Sequence, residues 1–75
     1  MRILIVEDDP KTRELLGRGL REEGFMADTV AHGLLGVEAA MDRTYDLLVL
    51  DVMMPGWDGW TTLSELRARN IQTPV

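Results

Sequence analysis

Acidic side chains follow two runs of apolar residues that have the composition of buried strands. The first run, residues 3–6, is followed by Glu7, Asp8 and Asp9, and the second run, residues 47–50, is followed by Asp51. Carboxylates that lie close together repel one another unless they are protonated or neutralised by a cation. Hard divalent cations prefer oxygen ligands, and Mg²⁺ is the usual choice where a phosphoryl group is also bound.

An aspartate beside Mg²⁺ has the chemistry needed to form an aspartyl phosphate, because the carboxylate is the nucleophile and the cation neutralises charge. We therefore take Asp51 as the candidate phosphoacceptor, and Asp8, Asp9 and Asp51 as candidate Mg²⁺ ligands. Each residue alone also has a structural explanation, since an Asp-Asp-Pro sequence is typical of helix capping and a single aspartate of a turn. Their combination with a proline–glycine loop after Asp51 favours the chemical interpretation.

The elements that must position these aspartates alternate between strand and helix patterns. Apolar runs predict strands, and apolar residues at helical spacing predict helices. The predicted strands are 3–6, 26–31 and 47–50, the predicted helices are 11–23, 34–41 and 59–69, and 73–75 is the predicted start of a fourth strand. This alternation indicates a parallel α/β sheet whose right-handed crossovers place the first strand between the second and the third. Ligands bind beyond the carboxyl ends of such strands, so the aspartates should converge there.

Composition limits the classes of protein to which the chain could belong. It has 75 residues, a net charge of −5 and no cysteine. This length allows one small domain at most, and the acidic charge without a basic stripe argues against direct contact with nucleic acid or an anionic membrane. The lack of cysteine excludes disulfides and thiolate zinc sites, and it fits a cytoplasmic location. The first apolar run is too short for a signal peptide or a membrane span.

Residues 3–10 together with residues 45–59 carry a specific resemblance. In this combination they resemble the receiver domain of two-component response regulators, most closely the receivers of OmpR-type regulators with a winged-helix DNA-binding domain. The resemblance covers residues 1–75. It implies a flavodoxin-like, doubly wound parallel sheet, of which the chain would supply the first three strand–helix pairs and the start of the fourth strand.

The resemblance also implies roles for individual residues. The position of Asp51 accepts phosphate from a phosphohistidine on a sensor histidine kinase, which makes the domain a phosphoacceptor rather than an enzyme. The position of Asp9 binds Mg²⁺ directly, that of Asp8 assists, often through water, and the backbone carbonyl of Met53 completes the protein ligands. In the longer protein, phosphorylation would control transcription.

The sequence departs from a complete receiver, which has five strands and five helices. The serine or threonine that ends the fourth strand and the lysine that ends the fifth do not occur within residues 1–75. We therefore expect the chain to be the N-terminal portion of a receiver, with the 47–50 strand as an exposed edge. Such a chain should either fold poorly alone or form an oligomer that covers this edge. The alternative is a non-catalytic interaction module or an inert fragment that lacks the switch residues.

Two other functions are excluded at the same positions. A dinucleotide-binding fold needs a glycine-rich turn after the first strand, where Glu7, Asp8 and Asp9 stand instead. A phosphatase of the haloacid dehalogenase type would need a second aspartate two residues after the nucleophile, and Met53 occupies that position.

Overall fold

Three strands and three helices alternate through residues 1–75 of the computed structural model. The elements are β1 (Arg2–Val6), α1 (Pro10–Glu22), β2 (Met26–Val30), α2 (Gly33–Asp42), β3 (Leu47–Leu50) and α3 (Gly59–Ala68). All strands are parallel, and their order in the sheet is β2-β1-β3. The predicted α/β fold and the central position of the first strand are confirmed, and no predicted helix or strand is displaced by more than two residues at either end.

The strands bury side chains on both faces of the sheet because β1 is apolar at every position from Ile3 to Val6. Leu4 and Val6 pack with residues of α2 and α3, whereas Ile3 and Ile5 pack on the face that Leu20 of α1 covers. This is the period-two alternation of a strand covered on both sides. The predicted doubly wound arrangement, with helices on both faces, is therefore confirmed.

Local signals determine where the helices begin and end. Asp9 and Asp58 are the N-caps of α1 and α3, and each side chain accepts a hydrogen bond from a backbone N–H in the first turn. Gly24 follows α1 with φ 91°, and Asn70 follows α3 with φ 60°. Both are left-handed conformations that glycine and asparagine adopt most readily at helix ends.

The free edge of β3 is partly covered by the end of the chain. The Leu48 N–H donates a hydrogen bond of 2.8 Å to the Pro74 carbonyl. Residues 73–75, where the sequence predicts the start of a fourth strand, form no strand in the structure. Proline has no N–H to donate, so Pro74 can accept from β3 but cannot continue a ladder. None of the three helices has the length and apolar character required to cross a bilayer.

Candidate functional site

Three carboxylates meet beyond the carboxyl ends of β1 and β3. Oxygen atoms of Glu7, Asp8 and Asp51 all lie within 4.8 Å of one another, and all three residues are half-buried. We call these residues the acidic cluster. The two strands end side by side because Val6 is in register with Leu50, so the residues that follow them are neighbours. The predicted convergence of Asp8 and Asp51 is therefore present in the structure.

Glu7 is a member of the cluster that the sequence analysis did not select as a ligand. Ile5 is in register with Val49 on the adjacent strand. Side chains alternate between the two faces of a sheet, so two residues further along Glu7 lies opposite Asp51 on the same face. Extending the strand period by one step beyond each apolar run would have identified this pair.

The surroundings of Glu7 raise the pKa of its carboxyl group. Partial burial raises the pKa of the Glu7 carboxyl above its ordinary value of 4.5, and the charges of Asp51 and Asp8 raise this pKa further. A hydrogen bond of 3.1 Å from the Asp9 N–H to the Glu7 side chain opposes this shift. Repulsion among three neighbouring carboxylates disfavours the ionised form of Glu7, and a bound cation would relieve this repulsion.

Asp9 lies outside the acidic cluster, and here the structure differs from the predicted ligand set. Its Oδ2 accepts hydrogen bonds from the Thr12 N–H at 2.8 Å and from the Thr12 hydroxyl at 2.7 Å. These bonds lower the pKa of the Asp9 carboxyl, with the Thr12 backbone N–H as the largest cause. In the structure the Asp9 carboxylate therefore caps α1, and Glu7 is the carboxylate that lies opposite Asp51. Direct binding of Mg²⁺ by Asp9 stays a prediction.

Backbone contacts position Asp51 from both sides. Its N–H donates to the Val6 carbonyl at 3.1 Å, which joins it to β1. Its side-chain Oδ1 accepts from the Met53 N–H at 3.2 Å, which folds the following loop back towards the carboxylate. The Met53 side chain is 84% exposed, whereas Met54 is buried in the core and anchors the loop. The Met53 carbonyl remains a predicted ligand.

The start of α3 lies directly against the backbone of Asp51. The Gly59 N–H donates to the Val52 carbonyl at 2.9 Å. A Cβ atom at Gly59 would lie 2.6 Å from the Asp51 carbonyl oxygen and 2.8 Å from the Val52 Cα. Only glycine permits this approach, so Gly59 determines how closely the loop between β3 and α3 packs against the end of β3.

The donor set of the acidic cluster fits a hard divalent cation. It offers carboxylate oxygens only, which are the ligands that Mg²⁺ prefers, and its half-buried side chains leave room for water as further ligands. If a cation were bound there, the Asp51 carboxylate would lie beside it, and a carboxylate in such a position can act as a nucleophile.

Comparison with known proteins identifies the family. Residues 3–75 match the model of the response regulator receiver domain. The transcriptional activator protein IrlR of Burkholderia pseudomallei is 57% identical over 75 residues, which are 100% of this chain and 32% of IrlR. The receiver domain of the Francisella response regulator 1452 superposes with a TM-score of 0.93 at 32% identity, over 99% of this chain and 61% of that one.

Two solved structures of the response regulator TrrA of Thermotoga maritima are similar to this chain. TrrA with Mg²⁺ and BeF has a TM-score of 0.85 at 41% identity, covering 91% of this chain and 59% of TrrA. In a complex with the histidine kinase ThkA, TrrA has a TM-score of 0.87 at 39% identity, covering 96% of this chain and 62% of that chain. The chain spans about a third of the length of the curated relative IrlR. With three parallel strands, helices on both faces and a match from residue 3 to residue 75, the chain belongs to the family of response regulator receiver domains.

Proposed function

We propose that Asp51 accepts a phosphoryl group from a phosphohistidine of a sensor histidine kinase, and that the chain thereby acts as the phosphoacceptor of a two-component system. The observation that carries this proposal is the position of Asp51 in the acidic cluster, at the end of β3 and beside the carboxylates that follow β1. The similar protein TrrA has been solved with a histidine kinase, which supports this class of partner.

The transfer needs an ionised nucleophile in a defined position. A carboxylate oxygen of Asp51 attacks the phosphorus atom, the new O–P bond forms as the N–P bond breaks, and the electron pair of that bond returns to the imidazole nitrogen. The hydrogen bonds of Asp51 to Val6 and Met53 keep its carboxylate at the end of the sheet. Positioning of this kind is a large part of the catalysis of phosphoryl transfer.

We assign the Mg²⁺ ligands to the carboxylates of Glu7, Asp8 and Asp51 and to the backbone carbonyl of Met53. When bound, the cation neutralises charge on these carboxylates and on the phosphoryl oxygens. Asp9, in the first turn of α1, contributes by capping the helix and by donating its N–H to Glu7. The solved structure of the similar protein TrrA in complex with Mg²⁺ and BeF supports Mg²⁺ as the cation.

In a longer cytoplasmic protein of the IrlR kind, this phosphorylation would regulate transcription. We also propose that the chain associates with itself through the edge of β3, because a single hydrogen bond to Pro74 leaves that edge largely available for pairing. Size-exclusion chromatography with light scattering tests the association. A mass of one chain at micromolar concentration would contradict it.

Phosphorylation is tested by incubating the chain with acetyl phosphate and Mg²⁺ and measuring its intact mass. We expect the mass to rise by one phosphoryl group, and Asp51→Asn to abolish the rise because an amide is a poor nucleophile. Asp42→Asn is the matched control, since Asp42 is an exposed aspartate at the end of α2, outside the acidic cluster. No modification of the wild-type chain would favour an interaction module or an inert fragment.

A further inference from the structure

Arg13 binds the backbone of the segment that carries two members of the acidic cluster. Its guanidinium Nη1 donates to the Glu7 carbonyl at 2.9 Å and to the Asp8 carbonyl at 3.3 Å. Arg13 lies in the first turn of α1 and is half-buried. The bonds therefore join the start of this helix to the loop between β1 and α1.

Neither carbonyl accepts a hydrogen bond from any other group of the chain. The last ladder bond of β1 with β2 in this region runs from the Glu7 N–H to the Val30 carbonyl, and no backbone N–H donates to the carbonyl oxygen of Glu7 or of Asp8. Without Arg13, the two peptide groups that orient the Glu7 and Asp8 side chains would lose their attachment to the helix.

We propose that Arg13 is a positioning residue for the metal-binding carboxylates, acting through the carbonyls of Glu7 and Asp8. This inference rests on the proposed Mg²⁺ site. Mutual repulsion tends to separate three carboxylates within 4.8 Å of one another. Charge-assisted hydrogen bonds to the backbone oppose that separation without using any carboxylate oxygen, so the oxygens stay available to a cation.

A positioning role and a purely electrostatic role of Arg13 predict opposite changes in Mg²⁺ affinity when Arg13 is replaced. A positive charge near the site repels Mg²⁺, so Coulomb forces alone would make Arg13→Ala bind the cation more tightly. If Arg13 positions the ligands, its removal weakens binding, because groups that orient metal ligands are typically worth roughly 10- to 100-fold in affinity. The sign of the change therefore distinguishes the two roles.

The test is isothermal titration calorimetry of Mg²⁺ into the 75-residue chain. The matched control is Arg18→Ala, since Arg18 also lies on α1 and carries the same charge but pairs with the exposed Glu14 at 2.8 Å. We expect the Kd for Mg²⁺ to rise about tenfold in Arg13→Ala and to change by less than about twofold in Arg18→Ala. Arg13→Lys, which keeps the charge but not the planar guanidinium, should be intermediate.

An unchanged or lower Kd in Arg13→Ala, with the wild-type chain binding Mg²⁺, would overturn the role of Arg13 and leave the proposed function intact. Failure of the wild-type chain to bind Mg²⁺ would overturn both. Circular dichroism of each variant verifies folding. If Arg13→Ala does not fold, the comparison of Arg13→Lys with Arg18→Lys decides the matter by the same criterion, a rise in Kd confined to position 13.

Discussion

Asp8 and Asp9 are adjacent in the sequence but have different roles in the structure, so replacing each by asparagine separates metal binding from helix capping. The Asp8 carboxylate is part of the acidic cluster, whereas the Asp9 carboxylate accepts two hydrogen bonds from Thr12. Asparagine caps helices about as well as aspartate does, so Asp9→Asn should leave α1 intact. Each substitution removes one negative charge, which makes the pair internally controlled.

The expected difference in Mg²⁺ affinity between the two variants follows from the distance between the cation and each carboxylate. A cation among oxygens that are all within 4.8 Å of one another lies closer than about 4 Å to each of them. At that distance a divalent cation gains about 2 kcal/mol from one carboxylate even at the dielectric constant of water. Losing this interaction raises the Kd about thirtyfold. Salt of about 0.15 M has a Debye length of about 8 Å, which reduces the effect of a charge outside the cluster to about twofold.

The assay is calorimetric titration of Mg²⁺ into the wild-type chain and both variants at the same salt concentration. We expect Asp8→Asn to weaken binding by at least about tenfold and Asp9→Asn to remain within about threefold of the wild type. A larger loss in Asp9→Asn than in Asp8→Asn would refute the assignment, and it would restore Asp9 as the direct ligand that the family resemblance implied.

Three further predictions concern the stability of the fold, and thermal unfolding followed by circular dichroism measures each one. In metal-free buffer, Glu7→Gln should raise the Tm at pH 7 and leave it unchanged well below pH 4.5, because the raised pKa of Glu7 means that its ionised form destabilises the folded state. An equal change in Tm at both pH values would contradict this. Gly59→Ala should destabilise the chain by about 1–3 kcal/mol, because the added Cβ would collide with the Asp51 backbone. Gly19→Ala in α1, where nothing lies within 4 Å of the added Cβ, should instead stabilise the chain by up to about 1 kcal/mol. A stability change of the same sign at both positions would contradict the packing of Gly59 against Asp51. Tyr45→Phe should cost about 1.5–3 kcal/mol at pH 7, because it removes a 2.8 Å hydrogen bond from the Tyr45 hydroxyl to the Asp28 carboxylate. It should also remove the Tyr45 contribution to the loss of stability between pH 10 and pH 12, where the tyrosine of the unfolded chain is ionised but that of the folded chain, with its pKa raised to about 12, still holds its proton. A variant that loses stability as steeply as the wild type in that range would contradict this.

The order of the strands and the convergence of Asp8 with Asp51 could be predicted from the sequence because both follow from strong patterns. The runs at 3–6 and 47–50 are apolar at every position, as strands buried on both faces require. Parallel strands joined by helices bring their carboxyl ends to one edge. These rules need no knowledge of individual contacts.

The full composition of the acidic cluster was not predicted, although the same rules carried signals for it. Asp9 had two predicted roles, helix cap and metal ligand, and in the structure its carboxylate is bound to Thr12 as a cap. Proline at position 10 already indicated where α1 begins, and therefore that Asp9 is the N-cap. Glu7 was missed because the strand period was not continued past the apolar run.

Helical periodicity likewise does not show which side of a helix meets the sheet. Leu15 and Leu20 are both apolar positions of α1, yet Leu20 packs against the core while Leu15 is 64% exposed. The distinction depends on how α1 is rotated about its axis against the sheet, and helical spacing does not fix that rotation. The bonds of Arg13 to the Glu7 and Asp8 carbonyls hold the start of α1 against the preceding loop, and unlike the Asp9 cap they have no local sequence signature.

Locating the phosphoryl group on the chain tests the proposed role of Asp51 most directly. After incubation with acetyl phosphate and Mg²⁺, borohydride reduction of the acyl phosphate followed by tandem mass spectrometry identifies the modified residue. We expect modification at Asp51 alone, abolished when EDTA removes Mg²⁺. Modification of another carboxylate, or modification of Asp51 that is indifferent to Mg²⁺, would contradict it.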